Sequence, residues 1–402
     1  MFGWEFPPHH TGGLGVACEG LVKGLLQHGV GITLVLPTKG PRSDDHLQVL
    51  SPGDGQVSLR AVDSFLQPYD CPRTYRSRLQ HATLPPDVHE LYGPDLGSAV
   101  DRFTSAAVDL TKDVPADVIH CHDWMTYGAG LHAASHHRRP LVSHVHATEL
   151  DRTDFHPNAW IMDAERSGLL ASDKIIAVSR YTKNILTTHY GIPSDKIAVV
   201  HNGHDPPRRP RTEAITAKYG LSSDPVVLFV GRLTVQKNPW QFLAVADQIH
   251  RMRPEVQFVM VGDGPMLGEL VDRARALGLE ENIIFTGRAG RREVETFFAR
   301  ADCFVMPSLS EPFGLVALEA IAHGTPVVLS RQSGAAEVIE HGFTVDYWDT
   351  DKMADCVLTI LRDPVLAAQL RAEAPRILRR LSWKNQAGAI EAIYRATISD
   401  CA

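Results

Sequence analysis

The sequence predicts an α/β fold of two doubly wound domains that face a central cleft. Its 402 residues are too many for one ordinary domain and suit two domains of similar size. Short β-rich runs alternate with amphipathic helical patterns in both halves, which is typical of parallel βαβ units. A segment rich in proline and arginine at 205–212, DPPRRPRT, separates the two series and is the clearest candidate for a linker.

The elements of the first half follow this alternating pattern. A glycine-rich loop at 12–15 precedes a helix that is predicted to end near Gln27. Residues 38–94 are polar and without clear periodicity, so no element is assigned there. The remaining predictions are strands at 31–36, 118–121, 141–144 and 174–178 and a helix near 97–112.

The second half repeats the alternation and ends in a helix. Its strands are predicted at 226–230, 256–261, 283–285, 303–306 and 327–329. The last helix, at 382–397, carries an apolar stripe from Trp383 to Tyr394. Polar residues follow many of these strands, and ligands of such folds bind at the carboxyl ends of the strands.

Composition excludes several classes of protein. The formal net charge of −7, with no basic stripe to offset it, argues against a general nucleic-acid binder. The chain contains no apolar run of 18 residues, and its start lacks the pattern of a signal peptide, so we expect neither a transmembrane helix nor a leader. Its six scattered cysteines are typical of reduced thiols. A cytoplasmic protein is expected.

The segment 307–337 is the most informative stretch of the chain. A strand-like run leads into a turn and then into a helix that begins near Gly314 and is closed by Gly324. Such a helix N-terminus binds negative charge, because its first backbone N–H groups have no helical partner. Two carboxylates, Glu311 and Glu319, nevertheless stand here with seven residues between them. Acidic groups at such a place suit a polyol or a developing cation.

Two cations follow the first strand of the second half. Arg232 and Lys237 lie in the loop after residues 226–230, where they would face the cleft. They could neutralise a diphosphate that gains charge as it leaves. At an effective dielectric of about 20, one such contact at about 4 Å is worth up to about 4 kcal/mol before desolvation. A solvated loop is the alternative interpretation.

The glycine-rich loop differs from a dinucleotide-binding fingerprint. The place of the third glycine is taken by Cys18, and no acidic residue follows a clear second strand. The segment Gly12-Gly13-Leu14-Gly15 therefore favours a backbone that approaches a phosphate or sugar closely. A plain tight turn is the alternative.

Several histidine and aspartate groups have residue types that bind metals. His144 and His146 point the same way by strand alternation, so we expect one to be structural and the other to face the cleft. At the preceding strand end we favour local hydrogen bonding over a metal for His120, Cys121, His122 and Asp123. A solvated helix face is favoured for His132, His136 and His137, and helix capping for Asp349, Thr350 and Asp351.

Taken in order, these segments resemble the retaining glycosyltransferases of family 4, which have the two-domain GT-B fold and include glycogen and starch synthase-like members. The resemblance covers nearly the whole chain, through WEFPPHHTGGLG, VIHCHDW, SHVHATELDR, AVSRYT, VVHNGHD, FVGRLTVQKNP, FVMVGDGP, IIFTGR and EPFGLVALEAIAHGTPVV. The ordered set is highly specific. It implies two Rossmann-like domains: residues 1–205 on the acceptor side, with a helix at 382–402 that crosses back onto them, and residues 206–381 on the nucleotide-sugar side.

The resemblance also implies roles for individual residues. Glu311 would hold the hexose and the distal phosphate, and Glu319 would bind the ribose hydroxyls. Arg232 and Lys237 would contact the diphosphate, and His146 would lie at the sugar. The catalytic set implied in this way is His146, Glu311, Arg232 and Lys237. The donor-binding set comprises Gly12, Gly13, Leu14, Gly15, Arg232, Lys237, Arg288, Phe313, Gly314, Leu315, Val316 and Glu319.

The implied function is retaining transfer of a hexose, with glucose as the expected sugar, from a nucleotide diphosphate sugar to a glycan or other hydroxyl acceptor. UDP- or ADP-glucose is the expected donor, and neither a cofactor nor a metal is expected. Bacterial glycogen and starch synthases carry a lysine where this chain has His10, which leaves the donor base open. The alternatives are a mannosyl- or other hexosyltransferase using a GDP- or UDP-sugar, a catalytically silent sugar-nucleotide-binding protein, and a sugar-nucleotide epimerase.

Overall fold

The computed structural model describes residues 1–6, 12–38, 57–63, 66, 72–81, 95–205, 210 and 212–401, and it has the predicted α/β architecture. The strands are β1 Ile32–Thr38, β2 Val57–Asp63, β3 Ile119–His122, β4 Leu141–Val145, β5 Lys174–Ala177, β6 Ile197–Val199, β7 Val226–Val230, β8 Gln257–Val261, β9 Ile283–Gly287, β10 Cys303–Met306, β11 Val327–Ser330 and β12 Phe343–Val345.

Helices follow most of these strands. They are α1 Gly13–Gln27, α2 Pro72–His81, α3 Leu96–Thr111, α4 Tyr127–His137, α5 Glu149–Arg152, α6 Ala159–Ala171, α7 Arg180–Thr188, α8 Glu213–Tyr219, α9 Pro239–Met252, α10 Leu267–Ala276, α11 Arg291–Arg300, α12 Leu315–Ala322, α13 Thr350–Arg362, α14 Pro364–Arg380 and α15 Trp383–Asp400.

Parallel pairing joins the strands of the first half. β1 pairs with β2, and the other four lie in the order β3-β4-β5-β6. Phe2 forms parallel bridges to Val35 and Cys121, so a single residue links β1 to β3. Phe2 thus connects the two groups of strands in the first half.

The second half is one parallel sheet of six strands in the order β12-β11-β10-β7-β8-β9. The chain runs outward from β7 to β9 and then returns to β10 on the other side of β7. This reversal creates a switch point beyond the carboxyl ends of β7 and β10, where ligands of open α/β sheets bind. The loops that follow these two strands carry Lys237 and Glu311.

Most sequence-based assignments agree with these elements, and three differ. β6 and β12 were missed, because each has three residues and a partly exposed burial pattern that mimics a loop. The predicted glycine-rich loop at 12–15 is shorter in the structure, because α1 already begins at Gly13. Of those four residues only Gly12 precedes the helix, as its N-cap residue. Within 38–94, which had no assignment, the described residues include β2 and α2.

The C-terminal helix α15 packs on the core of the first half. Trp383, Ala387, Ile390 and Tyr394 are buried in the same cluster as α1 and the first sheet. A Cβ at Gly20 would lie 2.1 Å from Cε2 of Trp383, so α1 approaches this indole closely only because position 20 is glycine. The domain boundary at 205/206 stays a prediction, and residues 206–209 and 211 of the expected linker lie outside the described residues.

Candidate active site

A cleft of about 950 Å³ lies between residues of the two halves. Its walls bring together thirteen of the fourteen predicted site residues, which are Gly12, Gly13, Leu14, His146, Arg232, Lys237, Arg288, Glu311, Phe313, Gly314, Leu315, Val316 and Glu319. Because they come from distant parts of the sequence, the cleft is formed by the tertiary fold.

Gly15 is the exception, and its assignment to the donor stays a prediction. It lies in the first turn of α1 and is buried, outside the cleft lining. Its backbone N–H donates to Oε2 of Glu5 at 3.0 Å. The helical rotation from Gly12 and Gly13 turns position 15 toward this carboxylate and away from the cleft.

Two helix N-termini meet across the cleft. Gly12 is the N-cap of α1 and Gly314 is the N-cap of α12, and neither cap carries a side-chain hydrogen bond. A Cβ at Gly13 would lie 3.7 Å from Cδ1 of Leu315, so the two ends are in close proximity. The orphan N–H groups of two helix starts favour negative charge between them.

Gly314 requires the backbone freedom of glycine. Its φ is +97°, in the left-handed region that side chains disfavour. A Cβ there would also lie 2.9 Å from Cε of Met306 and 3.2 Å from Cγ of Glu311. This conformation lets the chain turn sharply from the Glu311 loop into α12.

Lys237 and Glu311 form an ion pair within the cleft wall. Nζ of Lys237 lies 2.5 Å from Oε2 of Glu311, and Oγ of Ser308 donates to the same oxygen at 3.2 Å. Both loops come from the switch point of the six-stranded sheet. Gln236 joins them, since its carbonyl accepts from the backbone N–H of Leu309 at 2.9 Å and its Nε2 donates to the carbonyl of Ser310 at 3.1 Å.

Glu319 lies one helical turn further into the wall, on α12. Burial raises the pKa of its carboxyl to about 7, an effect that Arg291 opposes and Glu295 reinforces. The carboxyl of Glu319 therefore changes between its protonated and ionised forms near neutral pH. A carboxylate at this place can accept hydrogen bonds from two hydroxyls of a polyol once it is ionised.

His146 faces the cleft from the other half, as predicted for one of the two strand-end histidines. Burial lowers the pKa of its imidazole to about 3, so the ring is neutral at physiological pH. His144 lies beneath it, buried outside the cleft lining, with the two ring centroids 4.2 Å apart. The ring nitrogen Nε2 of His146 lies 2.9 Å from Nδ1 of His122.

Asp123 fixes the backbone at His146 and was not among the predicted site residues. Its Oδ1 accepts from the backbone N–H of His146 at 2.7 Å, and its own φ of 58° is unusual for a residue other than glycine. Burial raises the pKa of this carboxyl to about 6, while Arg152 opposes the rise. Its position after β3 is the sequence signal that could have identified it.

Other cleft residues also escaped sequence analysis. Lys23, Asp263, Arg291, Arg292 and Glu295 line the walls alongside the predicted set. Asp263 lies two residues after the end of β8, a position that favours function in this architecture. The others lie on helices, where charged residues usually indicate a solvated face.

The Glu311 loop is also tied to the first half of the chain. Oγ of Ser310 donates to Oδ1 of Asp151 at 2.5 Å, and Oγ of Ser179 donates to the carbonyl of Pro312 at 2.6 Å. Glu337 accepts from the backbone N–H groups of Arg180 and Tyr181, at the N-terminus of α7. These contacts hold the two walls of the cleft together.

Several of the groups weighed as metal ligands form hydrogen bonds within the chain. Asp349 caps α13 by accepting from the backbone N–H of Lys352 at 3.0 Å, as predicted. His136 and His137 lie near carbonyls at the end of α3, on a largely exposed helix face. At the end of β3, His120 hydrogen bonds to the hydroxyl of Tyr394, His122 to His146, and Asp123 to backbone N–H groups.

Comparison with protein families accounts for nearly the whole chain. Residues 11–208 match the family described as Glycosyltransferase Family 4, and residues 211–377 match the family described as Glycosyl transferases group 1. The junction of the two matches falls within the predicted linker.

Two curated relatives illustrate the similarity. The chain is 29% identical to glycogen synthase of Mycobacterium tuberculosis over 411 residues, which cover 98% of this chain and 94% of that protein. It is 31% identical to alpha-maltose-1-phosphate synthase of Mycolicibacterium smegmatis over 336 residues, which cover 75% of this chain and 85% of that protein.

Solved structures share the fold. Sucrose-phosphate synthase from Thermosynechococcus elongatus superposes with a TM-score of 0.76 at 20% identity, covering 99% of this chain and 96% of that one. The catalytic domain of starch synthase IV from Arabidopsis thaliana, bound to ADP and acarbose, gives 0.73 at 18% identity, with coverages of 99% and 98%. Among the described residues, we find no helix with the length and apolar character needed to span a bilayer.

Proposed function

We propose that this chain, which belongs to glycosyltransferase family 4 and has the GT-B fold, moves glucose from a nucleotide diphosphate donor to a hydroxyl acceptor with retention of anomeric configuration. The enzyme is a hexosyltransferase related to glycogen, starch and sucrose-phosphate synthases. The proposal concerns three properties of this enzyme: glucose as the sugar, a nucleotide diphosphate glucose as the donor, and retention of the anomeric configuration.

The observation that carries the proposal is the Lys237–Glu311 pair between two helix N-termini. Sugar transfer creates an oxocarbenium-like cation and a nucleotide diphosphate anion together. Nζ of Lys237 lies 2.5 Å from Oε2 of Glu311, so the cleft holds a positive and a negative group side by side. Lys237 would stabilise the anion, and Glu311 would lie beside the sugar. The orphan N–H groups of α1 and α12 add to the stabilisation of the anion.

The donor would lie along the wall formed by the second half. Glu319 would accept from the ribose hydroxyls, Arg232 and Lys237 would contact the diphosphate, and the backbone at Arg288 would hold the base. These cations and helix ends would supply the positive charge that a divalent ion provides in metal-dependent transferases. We therefore propose that transfer proceeds without added Mg²⁺ or Mn²⁺.

The chemical step is proposed to occur on one face of the sugar. The bond from C1 to the phosphate oxygen breaks, the acceptor oxygen forms a bond to C1 from the same side, and its proton passes to the departing phosphate. His146, neutral in this environment, would orient a sugar hydroxyl and shield C1 through its backbone carbonyl. Asp123 would keep that backbone in place.

Glucose is favoured by the names of the two relatives. Glycogen synthase and alpha-maltose-1-phosphate synthase are both named for glucose-containing products. The starch synthase neighbour is bound to ADP, which supports an adenine donor, whereas His10 in place of the usual lysine keeps UDP as a second candidate. A mannosyl- or other hexosyltransferase remains the competing assignment within the family.

A donor panel tests the proposal. ADP-, UDP- and GDP-glucose and GDP-mannose are supplied with and without a glucan acceptor, with no added Mg²⁺ or Mn²⁺, and release of the nucleotide diphosphate is measured. Acceptor-dependent release from ADP- or UDP-glucose is expected, and it should be lost in Glu311→Gln. Saturable donor binding without release would indicate a silent binding protein. Interconversion of donors without acceptor would indicate an epimerase.

A further inference from the structure

A cluster of three histidines lies directly beneath the cleft, outside the residues that line it. His120 and His122 come from β3 and His144 from the neighbouring β4, and all three side chains are buried. One potential ligand atom from each of them lies within 4.8 Å of those of the other two. Proposed donor and acceptor contacts do not use them.

In the part of the chain that the structure describes, the three rings leave four buried nitrogens without a hydrogen-bond partner. These are Nε2 of His120, Nε2 of His122, and both Nδ1 and Nε2 of His144. A buried polar atom without a partner is costly, so four of them in one place require an explanation. Only hydrogen bonding was expected for His120 and His122 from the sequence, and it accounts for one nitrogen of each ring.

The Nδ1 atoms of His120 and His122 each have a hydrogen-bond partner. Nδ1 of His120 hydrogen bonds to the hydroxyl of Tyr394, and Nδ1 of His122 lies 2.9 Å from Nε2 of His146. A histidine that ligates a metal commonly donates its remaining N–H to a hydrogen-bond acceptor, which fixes its tautomer and orientation. When Nδ1 is the donor in both rings, each Nε2 keeps a free lone pair for an ion.

We propose that His120, His122 and His144 bind one divalent transition-metal ion of the Zn²⁺ class through their unpartnered ring nitrogens. Three imidazoles and an open fourth position form a ligand set that Zn²⁺ accepts. Zn–N bonds of about 2.0 to 2.1 Å place tetrahedral ligand nitrogens about 3.3 Å apart, so small side-chain rotations would draw the rings together.

A second triad shares His122 but fits an ion less well. Cys18, His122 and His146 also offer ligand atoms within 4.8 Å of one another. Binding there would break the His122–His146 hydrogen bond and occupy a residue of the cleft. The three-histidine site leaves that bond intact, because His122 would ligate through Nε2 and donate from Nδ1.

The ion would act on the cleft through this bond. With the metal on Nε2, His122 keeps its proton on Nδ1 and donates it to Nε2 of His146. His146 then carries its own proton on Nδ1. His122 is in this sense a positioning residue for His146, and the metal fixes the tautomer of both rings.

Metal binding to the full chain tests this inference without reference to activity. Protein treated with a chelator is titrated with Co²⁺ and Zn²⁺, followed by visible absorption and by metal analysis. One equivalent of Co²⁺ is expected, without a thiolate charge-transfer band. His144→Ala should weaken binding by at least about tenfold, whereas His132→Ala, on the exposed face of α4, should bind as the wild type does.

Controls keep a negative result informative. Circular dichroism and the thermal transition establish whether His144→Ala is folded, and His144→Gln replaces it if it is not. No stoichiometric uptake by the wild type, or equal uptake by folded variants at position 144, would overturn the proposal. A thiolate band that disappears in Cys18→Ser would also overturn it, because the ion would then occupy the second triad.

Discussion

Nζ of Lys237 lies 2.5 Å from Oε2 of Glu311, so the cation expected at the donor diphosphate is paired with the carboxylate expected at the donor sugar. The side chains are 20% and 8% exposed, and burial makes the pair sensitive to the loss of either member. A donor entering this site meets the two charges already oriented by the Gln236 contacts to the Glu311 loop.

Replacing Lys237 with methionine should reduce kcat by about 10²- to 10³-fold, because the departing diphosphate loses a preorganised cation. Steady-state assays of nucleotide release measure the effect. Lys218→Met is the matched control. Lys218 also forms an ion pair, with Glu293, but its side chain is 60% exposed. A comparable loss in both variants would show that the Lys237 effect is not specific to the cleft.

The same pair should appear as coupling in protein stability. Lys237→Met leaves Glu311 buried without its cation and should lower the free energy of unfolding by about 3 kcal/mol. The double variant with Glu311→Gln should lose less than the sum of the two single variants, by about 1 to 3 kcal/mol. Urea denaturation provides the four values. Strict additivity would contradict an energetically coupled pair.

Donor affinity should depend on pH through Glu319. Its pKa of about 7 means that the carboxyl is protonated in more acidic solution and ionised in more alkaline solution. Because the ionised form accepts ribose hydroxyls best, KM for the donor should fall as pH rises through about 7 and then level off. Glu319→Gln should have a higher KM that does not follow this titration. An unchanged pH profile in that variant would assign the titration to another group.

Asp123→Ala should lower kcat by about tenfold and leave donor affinity nearly unchanged. The substitution removes the carboxylate that accepts from the backbone N–H of His146, so the sugar-facing backbone is less well fixed. Measuring kcat and the donor dissociation constant of the same variant separates the effect on turnover from the effect on donor binding. A large loss of donor affinity would place Asp123 in direct contact with the donor.

Gly20→Ala should destabilise the contact between α1 and α15. The added methyl group would lie 2.1 Å from Cε2 of Trp383, and overpacking of this kind costs about 1 to 3 kcal/mol. Gly268→Ala is the control, because it lies in α10 with nothing within 4 Å, and it should stabilise the helix by up to about 1 kcal/mol. Thermal denaturation compares them. Equal shifts would argue against close packing at Trp383.

Sequence patterns predicted the fold and much of the candidate site for identifiable reasons. β7 and β10 were bounded correctly because each is a continuous apolar run between polar loops. Lys237 and Glu311 could each be placed at a strand end. Their direct contact could not be predicted, since it depends on β7 and β10 lying side by side although 74 residues separate the two side chains.

Local patterns also conceal what the tertiary structure does with a residue. Gly15 belongs to the glycine-rich segment, yet its position in the first turn of α1 directs its N–H to Glu5. His144 and His146 share one face of a strand, but only the pairing of β3 with β4 stacks them against His120 and His122. The spacing of residues along β4 contains no information about which strand lies beside it.

The anomeric configuration of the product tests the central claim most directly. The wild-type enzyme is given an α-linked nucleotide glucose and a glucan acceptor, and the configuration of the new glycosidic bond is assigned by proton NMR. A single α-linked product with an equal amount of nucleotide diphosphate is predicted. A β-linked product would contradict retention at this cleft, and the absence of any glycoside from every donor in the panel would contradict glycosyl transfer itself.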